Sequence, residues 1–297
     1  TSHRLGRLIA HGPTLIERLV GIAIENITIQ AELKFLDQVR PTGGVLQIIK
    51  RDLAAMPKRG LMADAVDISE RAMFLNVVQS WAIGRREVIE GLVGNQDDPS
   101  FKLLSRLAAS SVSWDAVMRN GNQWYDRVAM AMRGRTYQIR RATFESVNAE
   151  LKAVAVTTRD PAQWLKLLVP GQSETAISLQ ISNILISLIL PAVTQAQSAE
   201  DRAEQSFTNL QIAVALAESN ARLGAFPKSL DDLVPGELSE VPGDLFSGKP
   251  LIYRREGDGY LLYSVGVNQE DEDARSYDDT PKGDDLFVRI PASVKPQ

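Results

Sequence analysis

The sequence predicts a mainly α protein with a small α+β tail: an N-terminal helical domain, then one long helix leading into a three-stranded antiparallel sheet. Three observations carry that prediction. Apolar residues recur at helical spacing through the first two-thirds of the 297 residues. The same period persists from 173 to 224 with few interruptions. After 225 it gives way to short runs rich in β-branched and aromatic residues, bounded by Gly, Pro and Asp. The division this suggests is a helical domain over 1–172 and a long helix plus tail over 173–297.

Taken in order, Leu15, Leu19, Ile22, Ile27, Ile29, Leu33 and Leu36 mark a first helix, with Pro13 in its first turn, where the missing N–H costs nothing. Pro41 and Gly43-Gly44 break the chain, and "VLQIIKRDLAAM" forms a helix stopped by Pro57 and Gly60. A longer helix is expected within "DISERAMFLNVVQSWAIGRREVIEGLVG". Another opens at Asp98-Pro99, with Asp98 as its N-cap. Further helical segments fall near 112–132, 136–157 and 161–168, punctuated by Gly121, Gly134 and Pro161. No repeat of fixed period is present.

The long helix keeps one apolar face through Ile177, Ile181, Ile184 and Leu188, then Phe207, Leu210, Val214 and Ala217. Pro191 should kink or interrupt it, and Gly224 stands where a left-handed C-cap belongs. The run 176–193 is diluted by Ser178, Gln180, Ser182, Asn183 and Ser187 and falls at the short end of the roughly 20 residues a membrane span needs. Burial between other helices is expected for it. Next, Ser229 caps a short helix, with Asp232 three residues on as in a capping box. "LIYRREGDGYLLYSVG" reads as two strands around Gly257-Asp258-Gly259, and a last strand begins near Leu286.

Composition narrows the chemistry. There is no cysteine, which excludes disulfides, thiolate metal sites, thiol nucleophiles and iron–sulfur clusters. The two histidines, His3 and His11, leave little material for a catalytic triad or a histidine metal site, and both are read as surface residues of a first helix. No P-loop, dinucleotide glycine motif or Gly-x-Ser-x-Gly is present. The net charge of −4 is uneven: residues 1–190 carry 23 Lys+Arg against 18 Asp+Glu, and residues 191–297 carry 10 against 19. Residues 122–144 interleave Trp124, Tyr125 and Tyr137 with Arg127, Arg133, Arg135, Arg140 and Arg141. They read as two amphipathic helices, aromatics inward and arginines in water, and no nucleic-acid partner is expected.

Two stretches resemble known families. "GPTLIERLVGIAI", residues 12–24, resembles the type IV prepilin motif, but Pro13 replaces its aromatic residue and Arg18, Glu25 and Asn26 interrupt the apolar run. A charge at mid-membrane costs about 3 kcal/mol, so the stretch is read as an amphipathic helix outside the membrane. No membrane span is expected within 1–297, and any anchor would lie upstream.

"AEQSFTNLQIAVALAESNARLGAFPKSLDDLVP", "VPGDLFSGKPLIYRREGDGYLLYSVG" and the acidic loop before "DDLFVRIP" together resemble the globular part of the major pseudopilin of bacterial type II secretion systems, over about 198–291. The arrangement as a whole is similar to large envelope proteins of planctomycete-type bacteria. The resemblance implies an extracytoplasmic, cell-envelope protein with a pseudopilin-like tail and a calcium-binding loop.

That loop, "NQEDEDARSYDDTPKGDD", residues 268–285, holds eight carboxylates against Arg275 and Lys282. Calcium takes six to eight oxygen ligands, and such a loop supplies them. By the resemblance Asn268, Asp284 and Asp285 lie where the family's ligands lie, and Asp271 and Asp273 stand close enough in sequence to join them. The family's Asp-Gly is Asn268-Gln269 here, and the loop has fewer glycines. The expectation is a non-catalytic interaction or assembly protein with a protein partner or self-assembly in the envelope and no small-molecule substrate. The alternative is a carboxylate-dependent hydrolase or sugar-active enzyme with its site in the helical domain.

Overall fold

The computed structural model describes residues 2–85, 112–159 and 174–292. The helix expected at Asp98-Pro99 and the segment near 161–168 lie outside those residues. The described elements are helices α1 (Ser2–Ile9), α2 (Leu15–Val39), α3 (Gly43–Ala54), α4 (Met62–Ala65), α5 (Arg71–Ala82), α6 (Trp114–Met132), α7 (Tyr137–Arg159) and α8 (Glu174–Leu223), then strands β1 (Ile252–Glu256), β2 (Gly259–Ser264) and β3 (Leu286–Ile290). A single π-helical turn, Val66–Glu70, joins α4 to α5. The molecule is mainly helical, with a small antiparallel sheet following a long helix, as the periodicity implied.

The prepilin-like letters have a local explanation. Thr14 is the N-cap of α2 and Glu17 its N3 residue: the Glu17 carboxylate accepts from the Thr14 N–H, and the Glu17 N–H donates to the Thr14 hydroxyl. "TLIE" is thus a capping box, which satisfies two of the four orphan N–H groups at a helix start. Pro13 lies before the cap rather than in the first turn. Nor is α2 simply amphipathic. Glu25 and Arg18 are buried, at 0% and 6% exposure, while Ile16 and Ile27 face outward.

The inversion follows from α1, which lies so close that a Cβ on Gly21 would sit 2.5 Å from the Gly6 carbonyl oxygen. At that spacing α1 delivers Arg7 to Glu25 at 2.8 Å, and Arg59 reaches the other carboxylate oxygen at 2.6 Å. A buried charge is tolerable only when paired in this way. His3 is buried too, its ring edge-on to Phe207 and its Nε2 3.1 Å from Glu32, so it is no surface residue. His11 remains exposed.

Gly121 does not end a helix. It lies inside α6, where a Cβ would come within 2.0 Å of the Phe74 ring. The interruption expected at Pro191 is absent as well, since α8 runs unbroken for 50 residues. Its ends agree with expectation, and Gly224 follows it at φ 72°. By length and composition α8 is apolar enough to cross a membrane; 53% of its most apolar window is buried within the protein.

Two cores share this helix. The first gathers Phe74, Val78, Trp81, Trp124 and Val128 against Ile177, Ile181 and Leu185 of α8. The second sets Phe207, Leu210 and Val214 of α8 against Tyr260, Leu262, Val288 and Ile290 of the sheet, and it also takes Ile29 and Leu36 of α2 with Leu46 and Leu53 of α3. Residues from 1–172 and from 173–297 therefore meet in both. The sheet order is β1-β2-β3, all antiparallel. Glu256 pairs with Gly259 across a two-residue turn whose first residue, Gly257, has φ 57°. Every residue of the central strand β2 is buried. Tyr260 and Leu262 face α8, and Leu261 and Tyr263 pack beneath Ala274 of the acidic loop.

Candidate metal centre

The acidic loop connects β2 to β3 and is folded back over the sheet by its own hydrogen bonds. Left-handed backbone at Gly266, Gln269, Asp273 and Ala274 lets it reverse direction repeatedly. The Asp285 N–H donates to the Arg275 carbonyl at 2.9 Å, and the Gly283 N–H to the Ser276 carbonyl at 2.9 Å. These bonds bring the end of the loop beside its middle. The result is a group of three carboxylates, Glu272, Asp284 and Asp285, with one oxygen of each within 4.8 Å of the others.

Each aspartate in this group has one oxygen engaged and one free. Asp284 Oδ2 accepts the N–H groups of Val267 and Asn268 at 3.0 and 3.1 Å; Asp285 Oδ2 accepts those of Ala274 and Glu272 at 2.8 and 3.2 Å. Both Oδ1 atoms are buried without a hydrogen-bond partner. Glu272 reaches back to accept the Asp284 N–H at 2.6 Å. Residue exposures of 6% for Asp284 and 2% for Asp285 put these carboxylates in a poorly solvated place. Burial pushes the Asp285 carboxyl up to about 6, against the pull of its two backbone N–H bonds, and raises that of Asp284 for the same reason.

Two glycines give the group its room. A Cβ on Gly266 would lie 2.5 Å from Asp284 Oδ1, and one on Gly283 would lie 2.8 Å from Glu272 Oε2. No side chain larger than hydrogen fits at either position.

Of the five residues expected from the sequence, the structure brings the carboxylates of Asp284 and Asp285 together and engages the side chains of the other three elsewhere. Asn268 accepts the Glu270 N–H at 2.7 Å, closing a local turn. Asp271 accepts from the Tyr263 hydroxyl and from the Asp273 N–H, both at 3.0 Å. Asp273 forms an exposed ion pair with Arg254 at 2.6 Å. Glu272 takes their place. It stands in the same acidic run, but its neighbours share its charge and no spacing rule separates it from them; only the fold-back through Arg275 and Asp285 does.

An equally buried carboxylate, Asp244, has a structural part. It accepts from the Phe246 and Val265 N–H groups and the Ser247 and Ser264 hydroxyls, fastening the turn before β1 to the end of β2. In the basic–aromatic stretch Trp124, Tyr125 and Tyr137 point inward as expected, but Arg140 is largely buried and paired with Asp201.

Fold and site together define a mainly α protein with a small sheet and an oxygen-only carboxylate cluster in its last long loop. Comparison with family models, curated proteins and solved structures finds no match to this chain.

Proposed function

We propose that this is a non-catalytic assembly or interaction protein of the cell envelope whose pseudopilin-like tail is locked by calcium. The observation that carries the calcium part of this reading is the pair of unpartnered Oδ1 atoms on Asp284 and Asp285, buried beside Glu272. Leaving a buried carboxylate oxygen unpaired is costly, and a cation relieves that cost at both aspartates at once. All the donors are carboxylate oxygens, with no nitrogen or sulfur among them, which suits a hard cation. Asp284, Asp285 and Glu272 would hold it. Bound there it would supply charge compensation, tying β3 to the middle of the loop. The expected extracytoplasmic location and a protein partner or self-assembly belong to the same reading and rest on the pseudopilin resemblance. The expectation of no span within 1–297 rests on the polar residues that dilute 176–193 and on Arg18, Glu25 and Asn26.

The enzyme alternative expected its site in the helical domain over 1–172, whereas the carboxylates that line a common cleft, Glu200, Asp201 and Glu204, stand on α8. Two of the three are held in ion pairs, Asp201 by Arg140 and Glu204 by Arg59. The pairing leaves little carboxylate free for acid–base work, and the assembly reading is preferred.

Thermal melting with millimolar calcium against a chelator tests the site. Calcium at about a hundred times its dissociation constant adds roughly 2.7 kcal/mol, which for a chain of this size raises Tm by about 5 °C. Asp285→Asn should abolish that rise. An unchanged melting curve, or an equal rise in the variant, retires the site and leaves the assembly reading on the resemblance alone.

A further inference from the structure

Between the two cores, a cleft of about 600 Å3 opens where α8 passes the 56–61 loop and the corner joining α6 to α7. Six cationic side chains line it, Arg7, Lys58, Arg59, Arg133, Arg135 and Arg140. Most are engaged. Arg7 and Arg59 share Glu25, Arg59 also reaches Glu204, Arg140 holds Asp201, and Arg133 holds Asp64 and Asp67. Lys58 and Arg135 are exposed, and among the described residues neither has a carboxylate within ion-pair distance. Glu200 shares the lining and accepts the Met62 N–H at 2.8 Å and the Gln197 amide at 3.0 Å. Burial raises its pKa, which weakens the one negative charge in the cleft that no guanidinium pairs directly.

Three polar groups of this lining are buried with no partner: Arg59 Nη2, Arg140 Nε and Gln197 Oε1. The Arg59 side chain is 7% exposed and Gln197 5%. A native fold leaves few such groups, and each costs about 1–3 kcal/mol. Arg59, Arg140 and Gln197 all line one cleft, and a small rotation of each side chain would turn two unpartnered donors and one unpartnered acceptor toward a ligand there. It must accept hydrogen bonds from guanidinium groups and donate one to an amide oxygen.

The geometry points to a binding site for a small phosphate-bearing molecule, with Arg59 and Arg140 donating from within, Lys58 and Arg135 closing on the phosphate from the mouth, and Gln197 accepting from a hydroxyl of the ligand. Phosphate fits better than carboxylate. It offers more acceptor oxygens to several guanidinium groups at once and carries a hydroxyl itself when singly protonated, whereas a simple carboxylate has no donor for Gln197. Leu53, Met56, Met132 and Phe207 in the same lining give a carbon skeleton somewhere to rest. None of these residues belongs to the acidic loop, so the site stands or falls apart from the calcium reading.

The test is titration of the full chain with inorganic phosphate, glycerol phosphate and acetate by calorimetry, with ionic strength held constant by chloride. Both phosphates should bind saturably and acetate should not. The Lys58→Ala/Arg135→Ala variant removes two exposed, unpaired side chains, so its melting temperature should hold while phosphate affinity falls at least about tenfold. Arg135→Gln, a milder change, should lose about threefold. Absence of saturable phosphate binding, equal binding of acetate, or unchanged affinity in both variants would overturn the assignment.

Discussion

Glu25 shows how little a single letter says about its surroundings. In the sequence it interrupts an apolar run and argues for an aqueous setting, yet the folded chain excludes it from water altogether. Its partners, Arg7 and Arg59, lie 18 and 34 residues away, and no local rule connects them. His3 and Glu272 were opaque for the same reason, because each is placed by a contact that the chain makes far from its own neighbours. Gly121 is a fourth case. Local reading takes a glycine as punctuation, whereas here hydrogen is the only side chain that leaves space for Phe74. Gly121→Ala should therefore destabilise the protein by about 1–3 kcal/mol through overpacking, despite the better helix propensity of alanine. Urea unfolding would check it, and a neutral or stabilised variant would show that the Phe74 ring moves aside freely.

At the scale of elements, the features legible beforehand were those closed within a few residues. The Ser229–Asp232 capping box, the Gly257 turn, the Gly224 cap and the ends of α8 all depend on neighbours in sequence, and all are present. Pro191 is the exception, since the helix continues through it without the interruption that its missing N–H suggests. Helix α8 also carries Glu200, and its titration gives a signed expectation. A carboxyl whose folded pKa is raised contributes stability that is present below its unfolded pKa, about 4.3, and lost as pH climbs through the folded value. Glu200→Gln escapes that loss while keeping an acceptor for the Met62 N–H. The variant should melt higher than wild type at pH 7, and the two curves should converge near pH 4. A variant that melts lower at pH 7 would mean that the charge, interacting with Arg59, stabilises the fold.

For the molecule as a whole, the decisive fact is that one helix furnishes both interiors. Trp81 and Trp124 report on the first core and Tyr253 and Tyr260 on the neighbourhood of the second. With α8 common to both, tryptophan fluorescence, tyrosine signal and far-ultraviolet dichroism should trace one coincident thermal transition. Separate midpoints would show that α8 comes apart between its halves. This arrangement was only half visible in advance. The period of α8 announced a long apolar face but not which partners would divide it, since Ile29 and Leu36 have to cross more than 170 residues of sequence to reach it.

Anyone wishing to excise the C-terminal tail by cutting near residue 198 would inherit a difficulty from that sharing. The flank of α8 around Phe207 and Leu210 is roofed by α2 and α3, so the liberated piece would enter water with an oily seam uncovered. Its natural minimal unit is a discontinuous one, in which the first fifty-odd residues travel with the last hundred.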